Sequence, residues 1–372
     1  MKKIAIIGAG ISGLFFANLL KNNLDYEFTI FEKRKTIDLQ DGYGVQLSVN
    51  SIKLLNQIGF KDINKNQTYN PKKINFINCS NDEKICDLDL LKYNYENNKY
   101  TTLKRSTLLK FLLNNISIDK IKLNIQLKAI NNGEKLTLSF NDNYSEEFDY
   151  LVVSDGVFSD TKSIVLKKDI KPTYFNSLAL RGNINDYPKE DISLYLGPNF
   201  HFVIYPVNQN NEFNFISIIK KKLMDKKFYT DKDFIESLTQ ELYKKTKVKL
   251  EGKINNIKSF PIFVSNKLEI PNQKNIFFIG DALFATPPSF AQGASQSIES
   301  SKELFDQMEN NTNTYYKKRI KKINSINWRS KLNYFSFHLS NPAIIPFRNL
   351  ALKVLANNDK FLDMYLGNIY KG

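Results

Sequence analysis

The chain has 372 residues, 42% of them hydrophobic and 24% charged, which is long enough and apolar enough for two intimately packed domains. Its net charge of +15 is carried by scattered lysines, with no helix-turn-helix pattern and no zinc-finger spacing, so nucleic-acid binding is not expected. Two cysteines, Cys79 and Cys86, and two histidines, His201 and His338, exclude a disulfide scaffold and leave no metal-ligand spacing.

Taken in chain order, residues 4–7 read as a short buried strand. Residues 11–21 have helical spacing, with Leu14, Ala17 and Leu20 on one face, and 28–31 form a second strand. This strand, helix, strand unit opens a parallel sheet. Residues 51–59 read as a helix with Leu54, Leu55 and Ile58 inward. Residues 71–100 alternate polar and apolar, as an antiparallel sheet does. A helix is expected at 106–114 with Ser106 as N-cap, and another short buried strand at 150–153. Long alternating strands fill 171–220. A helix at 231–245, a strand at 275–279 and a long helix at 292–309 follow. From Tyr315 the chain is helical, first basic and then apolar. The densest basic run, Lys317, Lys318, Arg319, Lys321 and Lys322, is expected on a solvated face. Lys2 and Lys3 before an apolar run look like the start of a signal peptide, but no small-residue cleavage site follows. No apolar run is long enough to span a bilayer, so a soluble cytoplasmic protein is expected.

The chemistry begins at Gly8, Gly10 and Gly13, spaced as G-x-G-x-x-G between the first strand and the first helix. Gly8 permits the tight turn, Gly10 lets a pyrophosphate approach the backbone, and Gly13 lets helix pack on strand. The helix N-terminus then faces the phosphates. Glu32 ends the second strand, where an acidic residue binds a ribose hydroxyl, and Lys33 and Arg34 follow it as cofactor-binding candidates. At this point NAD and FAD are equal alternatives.

Two further motifs separate them. One is Asp155-Gly156 after the 150–153 strand. The other is Gly280-Asp281, with Pro287, Pro288, Gln292, Gly293 and Ala294 downstream. Here the sequence resembles the flavoprotein aromatic hydroxylases, the family of the 4-hydroxybenzoate, 3-hydroxybenzoate and salicylate hydroxylases and the ubiquinone-ring hydroxylases. The resemblance implies that all three motifs converge on FAD. It places Asp155 near both FAD and NAD(P)H, Asp281 on the ribityl chain, and the Pro287 to Ala294 segment beside the isoalloxazine. Gly42, Gly44 and Val45 look like the segment that approaches the flavin, and Arg105 matches an arginine used near it. Arg181-Gly182 fits the substrate sheet, and Trp328 to Arg348 resembles the C-terminal helices of the salicylate hydroxylase branch. Three positions depart from the family pattern. Phe284 stands where many members have His, Lys162 where Arg is usual, and Ser300 where Asp is common. Lys162 keeps the charge but loses the bidentate fork, which puts pyridine-nucleotide engagement in doubt.

For the substrate, His201, Val203 and Tyr205 point to one face of a strand. The resemblance sets a similarly spaced His and Tyr beside a phenol, with His201 as a base near neutral pH, against the alternative of ordinary sheet residues. Arg181 is the candidate for a substrate carboxylate, or equally for an ion pair. The catalytic candidates are therefore His201, Tyr205 and Pro288.

The expected fold is α/β: a Rossmann-like FAD-binding domain on a parallel sheet (1–70, 101–168 and 272–312), an interleaved antiparallel substrate domain (71–100 and 169–271), and C-terminal helices (313–372). The resemblance implies a monooxygenase that uses NADH or NADPH and O2 to hydroxylate a small aromatic anion through a flavin C4a-hydroperoxide. Monomer and homodimer stand open. The alternatives are a membrane-docked hydroxylase of a quinone precursor, using the apolar C-terminal segments, and a non-catalytic FAD-binding or sensor protein. A halogenase fits poorly, since its paired-tryptophan motif is lacking and Trp328 is the single tryptophan.

Overall fold

In the computed structural model, residues 1–39, 43–222 and 228–370 are described. Gly42 lies outside them.

The first strand, Lys2–Ile7, has Ile4, Ala5 and Ile6 wholly buried, as a central strand covered on both faces requires. It lies in the middle of a five-stranded sheet. The order is Ile276–Phe278, Tyr150–Val153, Lys2–Ile7, Tyr26–Glu32 and Ile121–Leu123, and every pairing is parallel. The helix Ile11–Leu20 packs against Gly293–Glu309 and Arg105–Asn114, and eight of its ten residues are buried. Leu14, Ala17 and Leu20 are wholly buried, and burial extends beyond their face. A helix held between a sheet and two other helices is apolar all round. Ser106 is not the N-cap of Arg105–Asn114; Lys104 is, and no side chain caps that end.

An antiparallel sheet of three strands, Leu127–Asn132, Leu136–Phe140 and Ser145–Phe148, has no counterpart in the sequence reading. It covers the edge of the parallel sheet through Phe140, which stacks on Phe31 at 4.3 Å between ring centroids.

The second large sheet has seven strands, in the order Ile254–Val264, Thr173–Asn185, Glu212–Lys220, Phe200–Pro206, Ile192–Gly197, Lys73–Asn78 and Lys84–Asp89. It is antiparallel except where Ile192–Gly197 runs parallel to Lys73–Asn78. Those two strands come from distant segments, so no hairpin turn dictates their relative direction. One face packs Phe202, Phe213 and Phe215 on the helix Lys232–Lys244 through Leu238 and Leu242. Asp231 caps that helix, its carboxylate accepting from Phe234 N at 2.9 Å. The other face looks toward the parallel sheet and the C-terminal helices Tyr315–Phe337 and Ile345–Ala356.

A small sheet of Gly44–Leu47, Thr101–Lys104 and Thr68–Tyr69 joins the two halves. Gly44 N donates to Asn214 Oδ1 at 2.6 Å, and Thr102 Oγ1 donates to Pro206 O at 2.5 Å.

The basic run is only partly solvated. Lys317, Lys318 and Lys321 are exposed, but Arg319 is 2% exposed and pairs with Glu299 at 3.6 Å and Glu303 at 3.4 Å. Lys322 also meets Glu299, at 2.5 Å. Helical spacing turns Arg319 and Lys322, three apart, onto the helix Gly293–Glu309.

Candidate active site

A single cavity of about 1010 Å³ lies where the parallel sheet, the seven-stranded sheet and the C-terminal helices meet. Its two ends are lined by chemically different residues.

Two helix N-termini mark the cofactor side: Gly293 and Ala294 line the cavity, and the turn at residues 8–13 lies outside its wall. The backbone at Gly8 has φ +105°, and a Cβ there would come within 2.7 Å of Ser154 O, so glycine is required at this turn. A side chain at Gly13 would strike Gly8 O. By contrast, the nearest atom to a Cβ at Gly10 would be 4.0 Å away, and at Gly293 nothing lies within 4 Å. The helices Ile11–Leu20 and Gly293–Glu309 both lack a side-chain cap, as do Arg105–Asn114, Tyr315–Phe337 and Ile345–Ala356. Free N–H groups at the first two of these ends suit a negatively charged ligand.

Three carboxylates surround this end. Glu32 accepts from Ala9 N at 2.9 Å and Arg34 N at 3.0 Å, which fixes it beside the glycine turn. Asp155 Oδ1 is buried and, among the described residues, receives no hydrogen bond; burial pushes its carboxyl up. Asp281 is exposed to the open cavity, and the protein walls crowding it push its carboxyl up, to about 6. A carboxylate oxygen of Asp155 left without a donor, the cavity-facing Asp281 and two helix ends without side-chain caps fit a dinucleotide carrying sugar hydroxyls and a pyrophosphate. FAD fits these residues.

Arg34, Gly44, Val45, Arg105, Pro287 and Pro288 line the cavity, as do Gly293 and Ala294. Gly8, Gly10, Gly13, Glu32, Lys33, Asp155, Gly280 and Gln292 lie outside its wall. Lys33 pairs with Asp160 at 3.3 Å on the surface, and the Gln292 side chain turns inward toward Ser48 Oγ at 3.4 Å, leaving its backbone as the part available to a ligand. Lys162 is also turned inward. Its Nζ donates to Leu283 O at 3.2 Å, and burial lowers its pKa, so it is not poised for a surface nucleotide. Ser300 Oγ accepts from Gly280 N at 2.9 Å, and Phe284 packs on the parallel-sheet core.

At the substrate end, His201, Val203 and Tyr205 all line the cavity from one strand face. Tyr205 lies against the Gly44 backbone, so closely that a Cβ on Gly44 would meet its ring at 2.7 Å. Burial raises the Tyr205 phenol, with Arg181 nearby opposing the rise. The Arg181 guanidinium lies over the rings of Tyr43 at 5.9 Å and Phe260 at 6.0 Å.

His201 departs from the expectation of a base near neutral pH. It is buried, and its Nδ1 is 2.8 Å from Nε2 of His338, the other histidine of the chain. Burial, aided by its neighbour, holds His201 well below its ordinary value, and burial lowers His338 to about 3. The pair is neutral at pH 7. Which nitrogen carries the shared proton depends on the tautomer. The sequence reading named His338 but gave it no partner, because nothing local links residues 137 apart.

A family profile described as "FAD binding domain" matches residues 1–313. The chain is 22% identical to 3-amino-4-hydroxybenzoate 2-monooxygenase PtnB3 of Streptomyces platensis over 384 aligned positions, covering 98% of this chain and 95% of that protein. It is 21% identical to 6-hydroxynicotinate 3-monooxygenase of Bordetella bronchiseptica, covering 80% of each. The fold matches that of Klebsiella pneumoniae HpxO complexed with FAD and uric acid, with a TM-score of 0.87, 16% identity and coverage of 100% and 97%. It also matches a salicylate hydroxylase substrate complex, with a TM-score of 0.80, 16% identity and coverage of 100% and 95%. The chain belongs to the FAD binding domain family, and its likeness to the FAD-dependent aromatic hydroxylases runs the length of the fold.

Proposed function

We propose that the protein is an FAD-dependent monooxygenase that takes electrons from NADH or NADPH and places one atom of O2 on an aromatic ring. The observation that carries this reading is the continuity of the cavity. Asp281, Pro287 and Gly293 of the cofactor end open into the same space as His201 and Tyr205. Bound FAD supplies the electron storage and the oxygen activation.

The residues divide the remaining work. Gly8, Gly10 and Gly13 and the following helix end hold the pyrophosphate. Glu32 takes ribose hydroxyls, with Lys33 and Arg34 at the nucleotide edge. Asp155, Gly280 and Asp281 hold the sugar chain between the two helix ends. Gly44, Val45 and Arg105 flank the ring system from one side. Pro287, Pro288, Gln292 (through its backbone), Gly293 and Ala294 flank it from the other, and the dipole at Gly293 stabilises negative charge there. Tyr205 orients a substrate hydroxyl. His201, neutral and anchored by His338, hydrogen-bonds to that hydroxyl without serving as its base. Arg181 binds a carboxylate or a ring edge at the mouth of the substrate end. Pro288 and Phe290 keep water from the reacting centre. On this reading the FAD-binding part comprises 1–70, 101–168 and 272–312, the substrate part 71–100 and 169–271, and the helical cover 313–372.

The test is the visible spectrum of the purified protein, followed by NADH and NADPH oxidation with a panel of phenolic compounds. A flavin spectrum, substrate-stimulated oxidation and a product one oxygen heavier are expected. Flavin that neither nucleotide reduces with any phenol removes the monooxygenase reading and leaves a non-catalytic FAD-binding protein.

One observation favours a second reading, docking on an anionic lipid surface. Phe335, Phe347, Leu350 and Val354 are 65, 72, 60 and 57% exposed on the C-terminal helices, with exposed Lys331 and Lys353 on the same helices. Sedimentation with vesicles containing phosphatidylserine tests it, and a chain that stays in the supernatant rejects it.

A further inference from the structure

Six polar side chains form a closed circuit behind the first turn of the helix Gly293–Glu309. Arg319 Nη2 donates to Gln296 Oε1 at 2.7 Å, Gln296 Nε2 to Gln292 Oε1 at 3.4 Å, and Gln292 Nε2 to Ser48 Oγ at 3.4 Å. Ser48 Oγ donates to Asn50 Oδ1 at 2.5 Å, and Asn50 Nδ2 to Glu299 Oε1 at 2.5 Å. The ion pair of Glu299 with Arg319, at 3.6 Å, closes the circuit. Gln296 is half-buried and the others are buried.

The two charged members dictate the direction of every bond. A guanidinium only donates and a carboxylate only accepts. Each amide between them must therefore turn its oxygen toward the Arg319 side and its NH2 toward the Glu299 side. Bonds running one way around a buried circuit polarise and strengthen each other.

The circuit joins three parts of the chain. Ser48 and Asn50 follow the strand Gly44–Leu47, Gln292 directly precedes Gly293, and Arg319 comes from the helix Tyr315–Phe337. Ser48 N also donates to Ser295 Oγ at 3.2 Å. Gly44 and Val45 line the cavity from one of these parts, and Gly293 and Ala294 from another. The circuit thus sets the spacing between the two walls. Stability alone does not call for it, because a buried ion pair replaced by packed apolar residues often leaves stability unchanged or raised. What a directional circuit adds is a single geometry.

We propose that Arg319 and Glu299 are positioning residues for the cofactor. Through the circuit they hold the uncapped end of the helix Gly293–Glu309 where its N–H groups stabilise the reduced flavin. This rests on the placement of the flavin ring between Gly44 and Gly293. Taking up two electrons and one proton leaves that ring with one negative charge, and dipoles fixed beforehand stabilise it without having to turn.

The test is the midpoint potential of the bound flavin, read by titrating the full-length holoprotein with dithionite beside a reference dye, at saturating FAD. Gln296→Leu and Asn50→Ala open the circuit but leave both charges in place. Each is expected to raise the ratio of oxidised to reduced flavin at a fixed potential about two- to tenfold, a shift of about 10–30 mV to more negative values. Leu238→Ala, in the core on the far face of the seven-stranded sheet, destabilises without touching the circuit and is expected to leave the potential unchanged. An unchanged potential in both circuit variants overturns the inference. So does an equal shift in Leu238→Ala, which would trace it to lost stability, and so does loss of FAD from both circuit variants, since the circuit then only holds the cofactor in place. Oxidation of NADH or NADPH stimulated by a phenol is measured separately on the native chain. If it occurs while the potentials coincide, the circuit's role fails and the monooxygenase reading stands; if the potentials shift but no phenol is oxidised, the reverse holds.

Discussion

At the scale of single residues, a cavity-facing carboxylate and a buried histidine pair make the pH behaviour predictable. Asp281 has its carboxyl near 6 because protein walls replace water around it. Sugar hydroxyls donating to that carboxylate favour its ionised form and lower its pKa on binding. The dissociation constant for FAD is therefore expected to be level above pH 6 and to rise up to about tenfold per unit below it. Asp281→Asn is expected to abolish the slope and weaken binding at pH 8 by about ten- to a hundredfold, the worth of a hydrogen bond to a charged group; fluorescence titration of FAD across pH 5–8 measures both. The histidine pair acts on stability. Both rings are held neutral, with pKa values below the unfolded value of about 6.5. A depressed base contributes in full above the unfolded pKa, and that contribution is lost as the pH falls and the unfolded chain takes up protons. The loss is up to about 1.4 kcal/mol per pH unit for each histidine between about 6.5 and His338's value of about 3. Urea denaturation at pH 7.5 and 5.5 is expected to show a smaller drop for His338→Phe than for the native chain; equal drops would mean the ring titrates normally. Asp281 and the glycine cradle were legible in the sequence because motif spacing marks them. The lowered basicity of His201 was not, because desolvation is a property of what packs around a ring, and Phe337 and His338 arrive from far along the chain.

At the scale of elements, the glycine turn and the helix it opens act together. Gly8→Ala forces a Cβ against Ser154 O in a backbone conformation that costs an L-residue about 1–3 kcal/mol. It is expected to lower stability by that amount and to abolish FAD retention on a desalting column. The tie between the helices Gly293–Glu309 and Tyr315–Phe337 is ionic and buried. Removing Arg319 leaves Glu303 without its cation and Glu299 with Lys322 alone. Arg319→Ala is expected to cost about 3–5 kcal/mol in denaturant unfolding, whereas an exposed neighbour, Lys318→Ala, changes little. Strands and helices with strong periodicity, such as Lys2–Ile7 and Gly293–Glu309, were readable from the chain. The Leu127–Phe148 strands were missed although Leu136, Leu138 and Phe140 alternate with Thr137 and Ser139, because the flanking strands, with Leu127 and Phe148 as their fully buried residues, show little alternation of their own. The basic run misled for a related reason: composition shows charge but not which turn of a helix faces a carboxylate.

At the scale of the whole molecule, the two sheets are threaded through each other, so the cavity exists only when both are in place. A ligand that binds this state alone stabilises all of it. Free FAD at a hundredfold above its dissociation constant is expected to add about 2.7 kcal/mol to unfolding, with a single transition moving upward in a thermal melt. Two separate transitions, one moving with FAD and one not, would show that the halves unfold independently. The α/β class and the interleaving were legible, since parallel and antiparallel patterns alternate along the chain. The size and greasiness of the substrate end were not, because its floor is spread over seven strands and its roof comes from the last part of the chain. The histidine pair offers a further use. The chain holds two imidazoles and no more, and they meet across 137 residues, one on the floor sheet and one at the end of the roof helix Tyr315–Phe337. A nitrogen-15 spectrum of histidine side chains therefore contains the signals of those two rings alone. Magnetisation passing through their shared N–H···N bond would be a direct signal that roof and floor are closed on each other, and its disappearance would time the opening that admits a substrate.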